Sequence, residues 1–346
     1  MRKFAKKVAA VALSVAMVGG MFAGCSASSS GDDAQSTEKK TSYKIGICQL
    51  VQHTALDAAT KGFEEKLKEL GEAEGITFEF DYQNASNDSA NCTTIANKFV
   101  SSGYDLIMAN ATPALQACTT ATAASQTPVV GTSVTDYSAA LDIDMDPTDA
   151  TGINVTGTCD LAPLDKQAQQ IMDLFPNTKT VGVIYCSAEA NSKPQADGVK
   201  EALAEKGVET KYYPFADSND ISAVAKKAAA DVDVIYIPTD NTAASNGAVI
   251  DDACTNANVP IVAGEEGIFT NTRAVATLSI SYYALGEATA QMAYDILVNG
   301  KDPSTMNIQQ TDDLSYKYNS EQAKKFNATI PDGYEEATTA EATTEE

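Results

Sequence analysis

The feature that most constrains the fold is an alternation of short apolar segments with amphipathic ones, which starts near residue 43. The segment 44–48 predicts a strand, and apolar residues between 56 and 70 recur at helical spacing. Strands separated by amphipathic helices are typical of a parallel sheet covered on both faces. The rest of this first set is predicted as strands at 77–82, 105–108 and 128–131, with helices through 95–100 and 114–124.

The same alternation then starts again. Two doubly wound units of similar size predict an α/β protein with two Rossmann-like lobes, and a cleft lined by the loops at the carboxyl ends of the strands. The second set is predicted as helices at 166–175, 195–206, 221–230 and 243–257, with strands at 180–186, 209–213, 232–237 and 259–263.

The chain after residue 273 decides how the two lobes are connected. It predicts a strand at 274–280 and a helix at 282–298. If that helix packs on the first lobe, the chain crosses between lobes near residues 155, 278 and 300, and these crossings form a hinge. The predicted domains are 42–155 with 278–300 for lobe I, 156–277 with 301–332 for lobe II, and a disordered acidic tail at 333–346.

The N-terminus predicts an exported lipoprotein. Basic residues at positions 2–7 precede a short apolar run and the small residues before Cys25. Such a segment is typical of a secretory signal peptide, here 1–24, and Cys25 follows Phe-Ala-Gly as the lipid-modified cysteine of a lipobox does. The segment 25–41 is rich in Ser, Asp and Lys and predicts a flexible tether.

The charge of the chain excludes several classes of partner. The formal net charge is −23, so nucleic acid is not an expected partner. The only arginines are Arg2 and Arg273. The exported chain therefore cannot build an arginine clamp around a phosphate or a dicarboxylate.

Cysteine and histidine usage predicts neither a metal site nor a cofactor. No cysteines have CxxC spacing, and the chain has one histidine, His53. No GxSxG or HExxH motif occurs, so we expect a binding protein and not a hydrolase or other enzyme. We also predict no disulfide among the cysteines beyond the lipid site: Cys48, Cys92, Cys118, Cys159, Cys186 and Cys254.

Six short motifs, in their order and spacing, resemble the type I solute-binding proteins of the tryptophan/tyrosine ABC transporter group. The resemblance covers nearly the whole chain from 44 to 300. The motifs are QHTALDA at 52–58, PVVGTSVTD at 128–136, NVTG at 154–157, AEANS at 188–192, PTDN at 238–241 and YYALG at 282–286.

This resemblance implies a type I periplasmic-binding-protein (Venus-flytrap) fold, with a membrane permease and a cytoplasmic ATPase as partners and an aromatic amino acid as cargo. The ATPase must be a separate chain, because this one has no Walker A motif. Two alternatives remain: a ligand-sensing receptor component, and a binding protein for another solute such as a branched-chain amino acid or a sugar.

The candidate ligand-binding residues follow the predicted strands. Lobe I offers neutral groups suited to a carboxylate, and lobe II offers acidic loops suited to an ammonium, so the pair predicts an α-amino acid. The lobe I candidates are Gln49, His53, Asn110, Thr112, Thr132, Ser133 and Thr135. The lobe II candidates are Glu189, Asn191, Ser192, Asp240, Asn241 and Glu265.

Several of these residues have a structural alternative. Asp240 is predicted to bind the ligand ammonium, with Glu265 as second choice, but Asp240 could instead cap the next helix. Glu265 could be a first-turn acid, and Asn191 an N-cap. His53 is not expected to be catalytic, because lone histidines are more often structural or exposed.

Overall fold

A computed structural model describes residues 40–311 and 313–337. The predicted signal peptide, Cys25, residues 26–39 of the tether and residues 338–346 of the tail lie outside this part. The described chain forms thirteen strands. They are β1 Ser42–Gln49, β2 Thr77–Asn84, β3 Leu106–Asn110, β4 Val129–Val134, β5 Val155–Cys159, β6 Thr180–Cys186, β7 Glu209–Phe215, β8 Val234–Ile237, β9 Ile261–Ala263, β10 Ala276–Ile280, β11 Gln309–Gln310, β12 Leu314–Tyr318 and β13 Glu335–Glu336.

Twelve α-helices separate most of these strands in the described ranges. They are α1 Thr54–Glu74, α2 Ser89–Ser101, α3 Thr112–Thr122, α4 Tyr137–Leu141, α5 Leu164–Leu174, α6 Ser192–Ala204, α7 Ile221–Ala229, α8 Asn241–Ser245, α9 Gly247–Ala257, α10 Glu266–Asn271, α11 Tyr282–Leu297 and α12 Ser320–Phe326.

The strands build two sheets, which confirms the predicted α/β fold of two doubly wound lobes. The sheet of lobe I has the order β11-β5-β4-β3-β1-β2 and is parallel throughout. The sheet of lobe II has the order β13-β12-β10-β9-β8-β6-β7, with one antiparallel pair between β10 and β12. Every residue of β3, β4, β5, β8, β9 and β10 is buried, as expected for central strands covered on both faces.

The sheet order locates the crossing points between the lobes. β5 pairs with β4, and β11 pairs with β5, so both belong to lobe I, whereas β10 belongs to lobe II. The chain therefore crosses after β5, between β10 and α11, and between β11 and β12. The first two crossings lie within a few residues of the expected points near 155 and 278, and the third comes later than the expected point near 300. β5 was missed because its Thr and Gly residues give no apolar pattern.

The long helix α11 packs on lobe I, as the predicted route of the chain requires. Ala290 and Ala293 join the core around Phe63 of α1. The two helices touch through glycines, since a Cβ on Gly286 would lie 2.0 Å from the Ala59 carbonyl oxygen. The chain thus crosses from lobe II to lobe I just before α11, and the rest of this helix packs on lobe I.

Two predicted flexible segments are partly ordered. Thr41 of the expected tether accepts a hydrogen bond from the backbone of Thr77 (2.8 Å). In the expected tail, β13 pairs with β12, and Tyr334 packs edge-on against Tyr316 with ring centroids 5.3 Å apart. The sequence could not predict β13, because a strand of two glutamates has no apolar pattern.

The structure also bears on one predicted helix, on the cysteines and on membrane-spanning helices. The predicted helix 243–257 is broken at Asn246 into α8 and α9. All six cysteines between residues 40 and 337 are buried free thiols. None of the helices in this part of the chain is long and apolar enough to cross a membrane.

Candidate functional site: the cleft between the two sheets

All thirteen predicted ligand-binding side chains are buried, and they lie at or just after the carboxyl ends of strands from both sheets. In lobe I, Gln49 is held by its neighbours: its Nε2 donates to Asp57 Oδ1 (2.6 Å), and its Oε1 accepts from Thr60 Oγ1 (2.7 Å). The Asn110 amide nitrogen donates to the Leu56 carbonyl (2.9 Å) and to Thr60 Oγ1 (3.0 Å). These bonds fix the orientation of the amide and leave Asn110 Oδ1 as a buried acceptor without a partner.

The ends of β3 and β4 contain unusual backbone. Ala111, which precedes Thr112 and helix α3, has φ 90° and ψ 156°, a region that residues with a Cβ rarely adopt. Ser133 has φ 54°, and its buried hydroxyl has no partner. Strain of this kind concentrates at ligand-binding sites. The neighbouring Thr132 is instead paired, because its hydroxyl accepts from Thr158 Oγ1 (3.4 Å).

Asp160, which the sequence analysis missed, follows β5 at the first crossing. Its Oδ2 accepts a hydrogen bond from the Tyr282 hydroxyl (2.9 Å), while its Oδ1 is buried without a partner. Burial raises the pKa of this carboxyl, and the Thr135 and Tyr282 hydroxyls beside it oppose the rise. Recognising β5 as a strand would have placed Asp160 at the edge of the cleft.

Glu189 on lobe II is fully hydrogen-bonded within its own lobe. Its two oxygens accept from the backbone and side chain of both Asn241 (3.2 and 2.8 Å) and Thr242 (2.7 and 2.7 Å). Four donors satisfy the carboxylate and fix the start of α8.

The carboxylate of Asp240 is also hydrogen-bonded within lobe II, in the geometry of a helix N-cap. It is the N-cap of α8 and accepts from Ala243 N (2.8 Å), Cys186 N (2.5 Å) and Ser192 Oγ (2.8 Å). Burial, together with the Glu189 charge, raises its pKa. Both oxygens are thus occupied by the protein, which leaves Asp240 poorly placed to bind an ammonium.

Two further lobe II candidates, Glu265 and Asn191, differ from each other: the oxygens of Glu265 are hydrogen-bonded within the lobe, whereas one polar atom of Asn191 is not. Glu265 caps α10, since its oxygens accept from the backbone of Gly267 and Ile268 (2.5 Å each). Burial raises its pKa to about 8, and the Asp160 charge contributes. Asn191 does not cap α6 with its side chain: its Nδ2 donates to the Thr239 carbonyl (3.0 Å), and its Oδ1 is buried without a partner.

The lobes touch each other across the cleft. His53 Nε2 lies 3.2 Å from Asn241 Oδ1, Asn87 Nδ2 donates to Thr242 Oγ1 (3.1 Å), and the Thr54 and Thr270 hydroxyls lie 3.1 Å apart. His53 Nδ1 has no partner, and burial lowers the pKa of this imidazole. These contacts join the two lobes across the cleft, so the structure is in a closed conformation.

The cleft carries buried carboxyls without a basic partner. Among residues 40–311 and 313–337, no ion pair includes Asp160, Glu189, Asp240 or Glu265, and Arg273 pairs with Asp251 instead. No cluster in this part of the chain could hold a metal ion. A buried carboxylate needs a compensating positive charge or a proton, so the site is suited to a ligand with a cationic group.

Comparison with known proteins then decides the family. The sequence profile of the ABC transporter substrate binding protein family matches residues 44–341. The chain belongs to this family. It is therefore a solute-binding protein and not an enzyme.

Relatives agree with this assignment. The chain is 33% identical over 324 residues to a tyrosine-binding protein of Clostridioides difficile, a match that covers 92% of each chain. It is 29% identical to an ABC domain from Streptococcus pneumonia in complex with L-Trp, with a TM-score of 0.79 over 85% of this chain and 99% of the other. These resemblances confirm a member of the tryptophan/tyrosine group.

A third relative bears on the conformation. The ligand-free, open structure of a substrate-binding protein with adhesive properties from Clostridium difficile is 35% identical, yet its TM-score is 0.65, over 86% of this chain and all of the other. This substrate-binding protein thus resembles the L-Trp complex more closely in structure, although its sequence is nearer to that of the open protein. This agrees with the hydrogen bonds between its lobes.

Proposed function

We propose that this substrate-binding protein is an exported, lipid-anchored component of an ABC importer, and that it closes on an aromatic amino acid between its lobes. The observation that carries the ligand assignment is Asp160, a buried carboxyl with one free oxygen and no ion-pair partner. The tyrosine-binding and L-Trp-bound relatives support the aromatic side chain.

Asp160 is assigned to the ligand ammonium, in place of Asp240. The ammonium supplies both the charge and the donors that Asp160 Oδ1 lacks. The ligand carboxylate is assigned to the Ser133 hydroxyl and the start of α3 at Thr112, because these are donors at the carboxyl ends of the neighbouring strands β4 and β3. Asn110 Oδ1 and Asn191 Oδ1 are then acceptors available to a polar group of the ligand.

A titration with matched ligands tests the ligand assignment. Calorimetry should detect L-tyrosine, L-tryptophan or L-phenylalanine, and much weaker binding of N-acetyl-L-tyrosine, which lacks the ammonium. Tyramine, which lacks the carboxylate, should also bind weakly. Preferred binding of leucine or of a sugar would reject the aromatic class in favour of the alternatives.

The anchor and the transport role need separate tests. Cys25 is assigned the lipid, so mass spectrometry of the exported chain should find Cys25 at the N-terminus with acyl chains, and Cys25→Ala should release the protein from the membrane. A permease and a separate ATPase are the expected partners. Uptake of labelled ligand that does not depend on this chain would argue for the sensing role instead.

A further inference from the structure

A second cavity, outside the cleft, lies on the surface of lobe II. It has a volume of about 360 Å³, within the range of pockets that hold small molecules. It is formed by one face of α5, by β10 and β12, and by the segment that leads to β13. We propose that this cavity binds a small planar organic cation that carries a carboxamide. Its lining residues include Lys166, Gln170, Asp173, Leu278, Tyr316 and Tyr334.

Gln170 is the observation that points to a ligand. Its side chain lines the cavity and is 2% exposed, yet neither its amide nitrogen nor its amide oxygen makes a hydrogen bond of normal geometry in the described chain, and the Tyr334 hydroxyl is a neighbour that interacts with the amide. A buried amide in this state is costly, so evolution normally pairs or replaces it. A carboxamide on the ligand offers one donor and one acceptor at the spacing that Gln170 requires.

The aromatic wall indicates a flat ligand. Tyr316 and Tyr334 form an edge-on pair at an interplanar angle of 69°, and both rings border the cavity. Burial raises the pKa of Tyr334 to about 12, and the Gln170 amide beside its hydroxyl opposes this rise. A planar ring placed against the tyrosines would therefore bring its carboxamide toward Gln170.

The charges around the cavity indicate a cation. The lining carries two carboxylates, Asp173 and Asp332, against one ammonium, Lys166. The net negative charge and the electron-rich faces of the tyrosines both favour a positively charged ring over a neutral or anionic one.

Binding of 1-methylnicotinamide, with neutral nicotinamide as its counterpart, tests the proposal on the full chain by saturation-transfer NMR. The cation should bind about threefold more tightly than the neutral compound. Gln170→Met should weaken binding of the cation by about tenfold. Gln116→Met, the same change at an exposed position of α3, should leave binding unchanged.

The stability of the variant and competition complete the test. Gln170→Met should keep or raise the Tm, because it removes an unpaired buried amide, and this separates lost binding from lost folding. Binding of the cation should persist under saturating L-tyrosine. The proposal is overturned if millimolar 1-methylnicotinamide does not bind, if L-tyrosine displaces it fully, or if Gln170→Met binds it as well as the unchanged chain.

Discussion

The two walls of the cleft are both polar and buried, but they use their polar groups differently. On lobe II, the oxygens of Glu189, Asp240 and Glu265 accept hydrogen bonds from their own loops and helix starts. On lobe I and at the first crossing, Ser133 Oγ and Asp160 Oδ1 have no partner. The lobe II carboxylates therefore stabilise the protein itself, whereas the unpaired hydroxyl and carboxyl prepared for a ligand belong to lobe I and the first crossing; on lobe II the unpaired atom is the amide oxygen of Asn191.

The largest expected effect is that of Asp160→Asn on affinity. Truncating one partner of a desolvated charge pair costs about 2–5 kcal/mol, so the affinity for L-tyrosine should fall by at least about 30-fold. The Tm of the ligand-free variant should not fall, since an uncompensated buried carboxyl is removed. Calorimetry and thermal unfolding measure the two quantities. Unchanged affinity would mean that the ammonium is bound elsewhere.

Asp240→Ala should lower stability strongly and affinity little, which is the reverse of the effect expected for Asp160→Asn. Loss of the α8 cap and of the bonds from Cys186 and Ser192 should lower the free energy of unfolding by about 2 kcal/mol, while affinity changes less than about threefold. Chemical denaturation and calorimetry on the same sample check this. A large loss of affinity in a stable variant would restore Asp240 as the ammonium ligand.

The pH dependence of stability should reflect Glu265. Its pKa is about 8 when folded and 4.5 in an unperturbed carboxyl, so between these values the folded chain holds a proton that the unfolded chain has lost. Stability is therefore highest below pH 4.5 for this group and declines as pH rises to 8, by about 1.4 kcal/mol per pH unit at most. His53, with a lowered pKa, acts in the opposite direction below pH 6.5. The decline should thus be clearest from pH 6.5 to 8 in ligand-free protein.

Glu265→Gln provides the control for that measurement. Glutamine does not titrate, so the variant should lose about half of the decline between pH 6.5 and 8 in thermal unfolding curves. Asp240, whose pKa burial raises to about 8 as well, should supply most of the slope that remains. An identical slope in the variant and the unchanged chain would exclude Glu265 as its source.

Thr54→Val should have the smallest effect. It removes the hydroxyl that meets Thr270 across the cleft but keeps the shape of the side chain. One exposed hydrogen bond contributes about 0.5–1 kcal/mol, so affinity should fall about two- to fivefold. Small-angle scattering with saturating ligand should still show the closed form. A variant that stays open would mean that this contact determines closure.

The same contrast explains what the sequence could and could not predict. The strand at 180–186 was predicted with its observed bounds because its apolar residues leave a strong local signal. β5 and β11 were missed because their place in the sheet depends on backbone pairing with distant strands. Asp160 was missed with β5. For Asp240, the sequence predicted a buried acid after a strand, but only the structure locates the three donors that occupy it.

The route of the chain through the sheets also has a consequence for biogenesis. Lobe I receives α11 and its edge strand β11 from residues 282–310, after most of lobe II has been made. An exported chain emerges from its N-terminus onward. Lobe I therefore keeps an uncovered apolar face until residues 282–310 have emerged, after most of lobe II. Folding chaperones outside the membrane would therefore meet this half of the molecule first and hold it longest.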